Sequence, residues 1–424
     1  MINPIDNAGQ AAAEADVIAL WDDDRIKAAR EHVERLWRNA WADSIPDEAA
    51  AGVETMVDEY MTNWLFKAAA SDSQPPRFVR NFMPAHTWHG RDVPGARAGG
   101  DNPDNVYRLA GIAHGSRYRV TGRVVGQEPA NVSFTLVGDY GTSVTIQTIE
   151  SQALERHDDG SFVITIDDQP AAGRRNHITT APHAKFLYVR DSMENWASET
   201  PFALEVERLG SAASVPLSRD EMAHRAAFRA KDDVPLYFWF QSTFTNMRPN
   251  SWRFLPPNRG TGGLVTQAIG RGWFDLGPDD AVIIDFQPGG AAYSAIQLSS
   301  WLFQSYDADR ITSSLNRAQC VPDADGRIRA VIARRDPAVA NWLDCGGFSR
   351  IMAMLRWQGL PPAQAEGGPD FTAQLVKLDD LDRVLPQGTR RLTPAERSGQ
   401  CGARAVAFAR RFALNTETGG AVPR

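Results

Sequence analysis

The first part of the chain places apolar residues at helical spacing. Between residues 14 and 41, apolar side chains recur every three or four positions, and charged residues occupy the other faces. This period predicts an amphipathic helix. The same period returns after the turn Asp43-Ser44-Ile45-Pro46 and predicts a second helix through about residue 69. Both apolar faces need a partner, so we expect these helices to dock on the rest of the chain or on a second subunit.

From Asn105 the apolar period changes from helical to two. Tyr118 and Val120 alternate with Arg119 and Thr121, and the stretches 144–147 and 202–207 alternate in the same way. Turn residues such as Asp-Gly separate these stretches. Alternation bounded by turns predicts half-buried antiparallel strands of a sandwich or jelly roll.

The β-rich part of the chain looks like two diverged copies of one unit. In each copy an Asp-Gly pair opens a strand, an Asn follows after a loop, and a further strand ends in Arg, 31 residues after the Asp. These residues are Asp159, Asn176 and Arg190 in the first copy and Asp325, Asn341 and Arg356 in the second. Two generic hairpin patterns could coincide in this way, which is the alternative explanation.

We therefore predict a mainly β fold of two related antiparallel sandwich units, with N-terminal helices and a C-terminal helix. Capping-box spacing, Ser218 with Glu221 and Thr393 with Glu396, marks the starts of two helices. The predicted segments are a helical segment plus long loop at 1–104, the first unit at 105–213, a connecting helix at 214–235, the second unit at 236–390, and a C-terminal helix and tail at 391–424.

Several motifs in the two β units resemble the bacterial family known as domain of unknown function 1214. In the first unit the motifs are DNPDNVYRLAGI, SRYRVTGR and ALEVERL, and in the second they are DPAVANWLDCGGF, LRWQG and LVKLDDL. Together they span about residues 101–385. The resemblance implies a β-sandwich fold and little chemistry, because the activity of such proteins is mostly unassigned. The N-terminal and C-terminal helices lie outside it.

Composition and charge narrow the classes of function. The net charge is −7 with no basic run, which disfavours nucleic acid as a partner. No apolar run approaches 18 residues, and the N-terminus lacks the features of a secretory signal. Three widely spaced cysteines form neither a disulfide framework nor a metal knuckle. We expect a cytoplasmic protein that binds no membrane and no cofactor.

All eight histidines lie at or before His224, so imidazole chemistry would belong to the first unit and its preceding loop. His177 and His183 flank a turn, where one of them could shuttle a proton near neutral pH. The alternative is an ordinary solvent-facing loop. His86 and His89 are candidates for substrate binding, although they could simply bond backbone groups. A metal is the less favoured role for them, because no further ligands complete the H-x-x-H pattern.

The second unit supplies the remaining candidate site residues. Asn341 and Trp342 could form polar and apolar contacts with a substrate, and Asp344 could act as a base if it is desolvated. The alternative is a turn in which Asn and Asp bond their own backbone while Trp fills the core. Arg253 could hold a carbonyl or carboxylate group, and Tyr107 completes the set of substrate-binding candidates.

The leading hypothesis is a cofactor-independent enzyme of lyase, dehydratase or isomerase type that acts on a small, largely apolar oxygenated molecule. His177, Asp344 and His183 would be its catalytic groups, and segments 86–89, 177–183 and 341–344 would converge on one cavity. A non-catalytic sandwich that binds carbohydrate or a hydrophobic ligand is the alternative. A structural module is a third hypothesis, in which the N-terminal helices pair two subunits into a homodimer.

Overall fold

The fold is known from a computed structural model, which describes residues 2–210, 215–257, 260, 264–361 and 368–415. The N-terminal helices form one layer. A long helix connects the two β-rich parts of the chain, and another helix lies near the C-terminus. Their bounds are α1 (Ala8–Leu20), α2 (Asp24–Trp41), α3 (Asp47–Ala50), α4 (Val53–Ala70), α5 (Arg219–Thr245), α6 (Leu381–Val384) and α7 (Pro394–Ala409).

The first β unit is a sandwich of a five-stranded and a four-stranded sheet. The five-stranded sheet has the order β1 (Val79–Asn81), β4 (Asn105–Gly111), β10 (Phe186–Ser192), β6 (Asn131–Val137), β7 (Thr145–Glu150). The four-stranded sheet has the order β11 (Ala203–Leu209), β5 (Arg117–Arg123), β8 (Phe162–Asp167), β9 (His177–Thr179). A separate hairpin joins β2 (His86–Trp88) and β3 (Arg91–Val93).

The second β unit repeats this plan strand for strand. Its five-stranded sheet has the order β12 (Ser251–Leu255), β13 (Ala268–Asp275), β19 (Arg350–Gln358), β15 (Tyr293–Ser299), β16 (Ser314–Asn316). Its four-stranded sheet has the order β18 (Trp342–Asp344), β17 (Ile328–Ala333), β14 (Asp280–Phe286), β20 (Phe371–Lys377). The predicted mainly β fold with two similar units is therefore confirmed.

Strand register shows that the repeated residues are structurally equivalent. Arg190 in β10 pairs with Tyr107 in the first unit, and Arg356 in β19 pairs with Ile269 in the second. The repeated asparagines also act alike. Asn176 bonds the backbone N–H and C=O of Glu155, and Asn341 bonds those of Val321. Each Asn therefore ties the loop before the edge strand to the body of its own sandwich.

Alternation along the strands separates two kinds of face. In β10, Leu187 and Val189 point into the apolar core of the first sandwich, and in β19, Ala353 and Leu355 point into that of the second. The residues between them, including Arg190 and Arg356, line a space bounded by both units. The two five-stranded sheets therefore turn their second faces toward each other.

The helices close this space from one side. Helices α1, α2, α4 and α5 share a single apolar cluster, which includes Val17, Trp37, Leu65 and Tyr237. The predicted docking of the N-terminal helices thus takes place within the chain. The predicted helix at 14–41 is two helices, because Asp23 caps the second through a bond from the backbone N–H of Arg25 at 2.9 Å.

Two other boundaries differ from the sequence prediction. The expected long loop at 71–104 contains β1, which pairs with β4 and so belongs to the first sandwich. Helix α5 continues past 235 to Thr245 even though Pro235 lies inside it. Buried contacts of Tyr237 and Gln241 with the backbone carbonyls of Leu302 and Trp301 hold this extension, at 2.7 Å each.

A buried carboxylate, Asp104, connects the two units. It is fully buried and accepts hydrogen bonds from Trp196 in the first unit at 2.7 Å and from Tyr293 and Asn316 in the second at 2.6 and 2.9 Å. The guanidinium group of Arg411 donates to the neighbouring carbonyl of Pro103. Burial of a charge is favourable only when such donors surround it, so these contacts determine how the units sit against each other.

The role of Asp104 predicts a large loss of stability when its charge is removed. We expect Asp104→Asn to lower the free energy of unfolding by roughly 3 kcal/mol, because three donors then face an amide that cannot accept all of them. Urea denaturation followed by tryptophan fluorescence measures this. The matched control is Asp279→Asn at an exposed ion pair with Arg335, which should change stability by no more than about 0.5 kcal/mol. Equal effects of the two substitutions would contradict the role given to Asp104.

Candidate functional site

A cavity of about 240 Å³ lies between the two five-stranded sheets and is covered by α4 and α5. We call it the central cavity. Strands β4 and β10 form one wall, β13 and β19 form the opposite wall, and residues 98–101 and Phe303 contribute to its floor. It is the place where the two units and the helical layer meet, so each part of the chain supplies side chains to it.

Two equivalent arginines, Arg190 and Arg356, project into the central cavity from opposite walls. They are 7% and 8% exposed, respectively. The Arg190 guanidinium lies over the Tyr188 ring, 3.9 Å from its centroid. Arg356 donates to the carbonyl oxygen of Gly100 at 2.9 Å, to the sulfur of Met354 at 3.2 Å and to Oε1 of Gln297. These three partners are neutral, and the buried carboxylate of Asp101 also interacts electrostatically with Arg356.

Gly100 is required where it lies. Its φ is +67°, and a Cβ there would come within 2.6 Å of Met354 and 2.8 Å of Phe303. Any larger residue would therefore displace the carbonyl that orients Arg356. The close approach of the Gly100 backbone therefore helps to position Arg356.

A third guanidinium and an unsatisfied amide also line the cavity. Arg271 stacks on the Phe244 ring at 4.6 Å from its centroid, and its Nε has no hydrogen-bond partner within the described part of the chain. Burial lowers the pKa of Arg271 to about 10, which leaves it charged at neutral pH. Asn81 is fully buried, and both polar atoms of its side chain lack partners among the described residues. Buried amides without partners are costly, which marks Asn81 as a position that a bound molecule could satisfy.

Aromatic side chains from the first unit form an apolar wall beside the arginines. The Phe82 and Tyr107 ring centroids are 5.0 Å apart, and those of Tyr107 and Tyr188 are 5.8 Å apart. The Tyr107 hydroxyl accepts from the backbone N–H of Asn102 at 2.9 Å. Burial raises the pKa of both Tyr107 and Tyr188, so both phenols stay neutral and can donate a hydrogen bond.

The helical layer contributes a lysine and an aspartate elsewhere on the cavity wall. Lys67 on α4 lies over the Trp64 ring, 4.1 Å from its centroid, and its Nζ is 3.4 Å from the carbonyl oxygen of Tyr140. Burial lowers the pKa of Lys67 to about 8, although the nearby carboxylates oppose this shift. Burial raises the pKa of Asp233 on α5 to about 6, with Lys67 acting in the opposite direction.

The predicted histidines have structural partners outside the central cavity. His177 lies in β9 at the edge of the outer four-stranded sheet. Its Nδ1 is 2.8 Å from the Thr165 hydroxyl and its Nε2 is 3.0 Å from the carbonyl oxygen of Gln169. His183 is exposed on a turn. His86 and His89 lie on the β2–β3 hairpin, where the Nδ1 of His86 donates to the Pro84 carbonyl and the Nε2 of His89 lies 2.7 Å from Asp6.

The candidates of the second unit also lie elsewhere. The side chain of Asn341 bonds to Val321 and Arg329, and the indole N–H of Trp342 donates to Ala333 at 3.0 Å. Asp344 accepts from the backbone N–H of Gly346 at 2.8 Å, and burial raises its pKa. Arg253 is exposed on the edge strand β12. These are the turn and core roles that the sequence left open as alternatives.

The expected convergence of segments 86–89, 177–183 and 341–344 is therefore not found among the described residues. Strands β9 and β18 are edge strands of the two four-stranded sheets, whereas the central cavity lies between the two five-stranded sheets. Of the nine candidate site residues, only Tyr107 lines it. The catalytic roles of His177, His183 and Asp344 stay predictions with no support from this geometry.

Sequence reasoning missed Arg190, Arg356, Arg271, Asn81 and Lys67 as site residues. A signal for Arg190 and Arg356 was present in the sequence. Each is a charged residue near the end of a strand whose other residues are mostly apolar, and the two occupy the same position in the two copies. A buried charge on such a strand requires a partner, because burial of an unpaired charge is unfavourable. Nothing in the sequence pattern indicated that the two positions face each other.

Searches for metal sites and membrane spans gave no candidate. Among the residues described, no group of three or more His, Cys, Asp and Glu side chains is placed to hold a metal ion. Within the same residues, none of the helices combines the length and apolar character needed to cross a bilayer.

Comparison with known proteins supports the fold. No family model matches the chain, and no curated protein matches it. The crystal structure of an uncharacterized protein from Burkholderia cenocepacia superposes with a TM-score of 0.69 and 24% identity, covering 87% of this chain and 100% of that one. The VPA0106 protein from Vibrio parahaemolyticus gives a TM-score of 0.41 and 9% identity, covering 76% and 99%. The first likeness shows a shared fold, and the resemblance to domain of unknown function 1214 stays a prediction.

The observed contacts predict different outcomes at two of the former candidates. Asn341→Ala removes three partly buried hydrogen bonds and should lower the stability of the fold by about 2 kcal/mol. His183→Ala, at an exposed turn, should change stability by less than about 0.5 kcal/mol. Thermal unfolding of the two variants beside the native chain measures this. An unchanged melting temperature for Asn341→Ala would show that this side chain is not a structural tie.

Proposed function

We propose that the central cavity binds a small organic acid, with its carboxylate held among Arg356, Arg190 and Arg271 and its apolar body against the aromatic wall. The observation that carries this proposal is that equivalent, buried arginines from the two units line one cavity. The proposal keeps the small, largely apolar oxygenated molecule expected from the sequence and adds a negative charge to it.

The charge balance of the cavity supports an anionic ligand. Its lining includes Arg190, Arg271, Arg356 and Lys67 but only two carboxylates, Asp101 and Asp233. Asp101 is already bonded to Ser305, at 2.6 Å from the hydroxyl and 3.1 Å from the backbone N–H. Burial raises the pKa of Asp101, and Arg97 and Arg356 act in the opposite direction. A carboxylate ligand would add a negative charge beside these cations and would suit the guanidinium fork.

The uncharged part of the lining supports a ligand with an apolar or aromatic body. Phe82, Tyr107, Tyr188 and Phe303 offer ring faces close to the arginines, and rings of this kind pack well against apolar groups. Asn81 could satisfy one further polar group of the ligand, since it can both donate and accept. A cavity that combines apolar side chains with a few convergent polar groups is typical of small-molecule sites.

Binding without catalysis and catalysis on the bound acid are both compatible with this site. The non-catalytic sandwich now has the same ligand class as the enzyme hypothesis. We retain a small molecule as the expected partner and the cytoplasm as the expected compartment. Pairing of subunits through the N-terminal helices has less support, because the apolar faces of α1, α2 and α4 pack within the chain.

Titration calorimetry with benzoate and its neutral isostere benzamide tests the proposal. We expect benzoate to bind about tenfold more tightly or better, because only the carboxylate can make charge-assisted bonds to the guanidinium groups. Arg271→Met keeps an apolar stem and should weaken benzoate binding by about tenfold while leaving benzamide nearly unaffected.

The matched control is Arg335→Met, which removes an exposed guanidinium paired with Asp279 and far from any lining residue. It should bind benzoate like the native chain. Arg356→Met provides a second variant, although its loss of the bond to Gly100 also removes a structural contact. Equal affinity for benzoate and benzamide, or unchanged benzoate affinity in Arg271→Met, would overturn the anion site.

A further inference from the structure

Lys67 occupies a distinctive place in the molecule. It lines the central cavity and also an outer recess of about 220 Å³ formed by α4, α5 and Tyr140. Trp64, Lys67 and Tyr140 are common to both spaces. The two spaces therefore adjoin at the lysine side chain.

Lysine at this position is unusual in a chain whose basic residues are mostly arginines. The sequence has only five lysines among 45 lysines and arginines, and Lys67 is the one that lines the central cavity in the described structure. Arginine stays protonated in proteins, whereas lysine readily loses its proton when it is desolvated. The cavity thus combines arginines, which suit binding, with one amine that can become a nucleophile.

The surroundings of Lys67 favour a reactive amine over a structural ion pair. Its described contacts are the Trp64 ring and a long hydrogen bond to the Tyr140 carbonyl. Its pKa near 8 leaves roughly a tenth of it neutral at pH 7. Amines activated by burial in this way serve enzymes that form Schiff bases with carbonyl substrates.

Asp233 is placed to move the proton that such chemistry needs. It lies on α5, which packs on α4, and it lines the central cavity together with Lys67. One of its oxygens, Oδ2, is buried and has no hydrogen-bond partner among the described residues. With a pKa near 6, it is close to the range in which a carboxyl can both give and take a proton at neutral pH.

Further charged groups near Lys67 and Asp233 affect the pKa values of both residues. Asp139, at the β6–β7 turn, interacts with both Lys67 and Asp233, and Arg229 on α5 interacts with Asp233. Arg225 and Arg229 also line the outer recess. The carboxylates favour the protonated lysine, and desolvation outweighs them.

We propose that Lys67 condenses with the carbonyl group of an aldehyde or ketone acid bound in the central cavity, and that Asp233 provides the proton for this step. The proposal rests on the anion site described above and narrows its ligands to oxo acids. It gives the cavity an activity beyond binding, because an iminium ion makes the adjacent carbon acidic.

The condensation balances with groups already present. The neutral amine of Lys67 attacks the carbonyl carbon, and a proton shift from nitrogen to oxygen gives a carbinolamine. Protonation of its hydroxyl by the Asp233 carboxyl lets water leave as the C=N bond forms. The products are the iminium ion, one water molecule and the Asp233 carboxylate, so no oxidant or external reductant is needed.

Reductive trapping with 4-carboxybenzaldehyde and sodium cyanoborohydride tests this inference. The reductant converts an imine into a stable secondary amine, which intact-mass measurement and peptide mapping can locate. We expect a single adduct on Lys67 in the native chain, its loss in Lys67→Arg, and its retention in the control Lys231→Arg, which changes an exposed lysine of α5. Asp233→Asn should slow trapping, and an unchanged trapping rate would contradict the role given to Asp233.

Benzoate titration of the same samples separates the two proposals. Benzoate binding without an adduct at Lys67, or an adduct spread over exposed lysines, overturns the Schiff-base inference and leaves the anion site standing. Absence of binding by both benzoate and the aldehyde overturns the anion site itself. Peptide mapping of the native chain decides the location of the adduct even if Lys67→Arg does not fold.

Discussion

The buried carboxylate of Asp104 is the contact on which the rest of the structure depends. A fully buried charge is stable only if its donors are held in place, and here the donors come from both β units. Across the same boundary, the Ser192 hydroxyl donates to Gln358 at 2.7 Å, and these are equivalent positions of β10 and β19. These bonds fix the two five-stranded sheets face to face. The central cavity is the space that this arrangement leaves, covered by α4 and α5.

Duplication explains the symmetry of the cavity, and divergence explains its chemistry. Both units place an arginine at the same strand position, but its surroundings differ: Tyr188 lies under Arg190, whereas Met354 contacts Arg356. Tyr107, opposite Arg190, corresponds to Ile269, opposite Arg356. The first unit therefore offers phenols and the second offers apolar groups, so a bound molecule would have a preferred orientation.

The fold was largely predictable from the sequence because its signals are local. The change of period at Asn105, the repeat and both capping boxes report contacts within a few residues or within one sheet. The break at Asp23 has a local signal, the N-cap aspartate, which the helical period across residues 14–41 obscured. The continuation of α5 past Pro235 depends on long-range burial, which the local pattern does not show. The site was mostly not predictable from the sequence, because the alternation of apolar residues in each sheet does not show which faces of the two sheets meet. Polar residues such as His177 and Asn341 attracted attention, although the Thr165 hydroxyl and backbone groups already use their polar atoms.

A crystal structure of the chain soaked with benzoate tests the central claim most directly. The account predicts benzoate in the central cavity, with its carboxylate within hydrogen-bond distance of Arg356 or Arg271 and its ring against Phe82, Tyr107 or Tyr188. Benzoate bound only at the surface, or a cavity that holds only water at saturating benzoate, would contradict it.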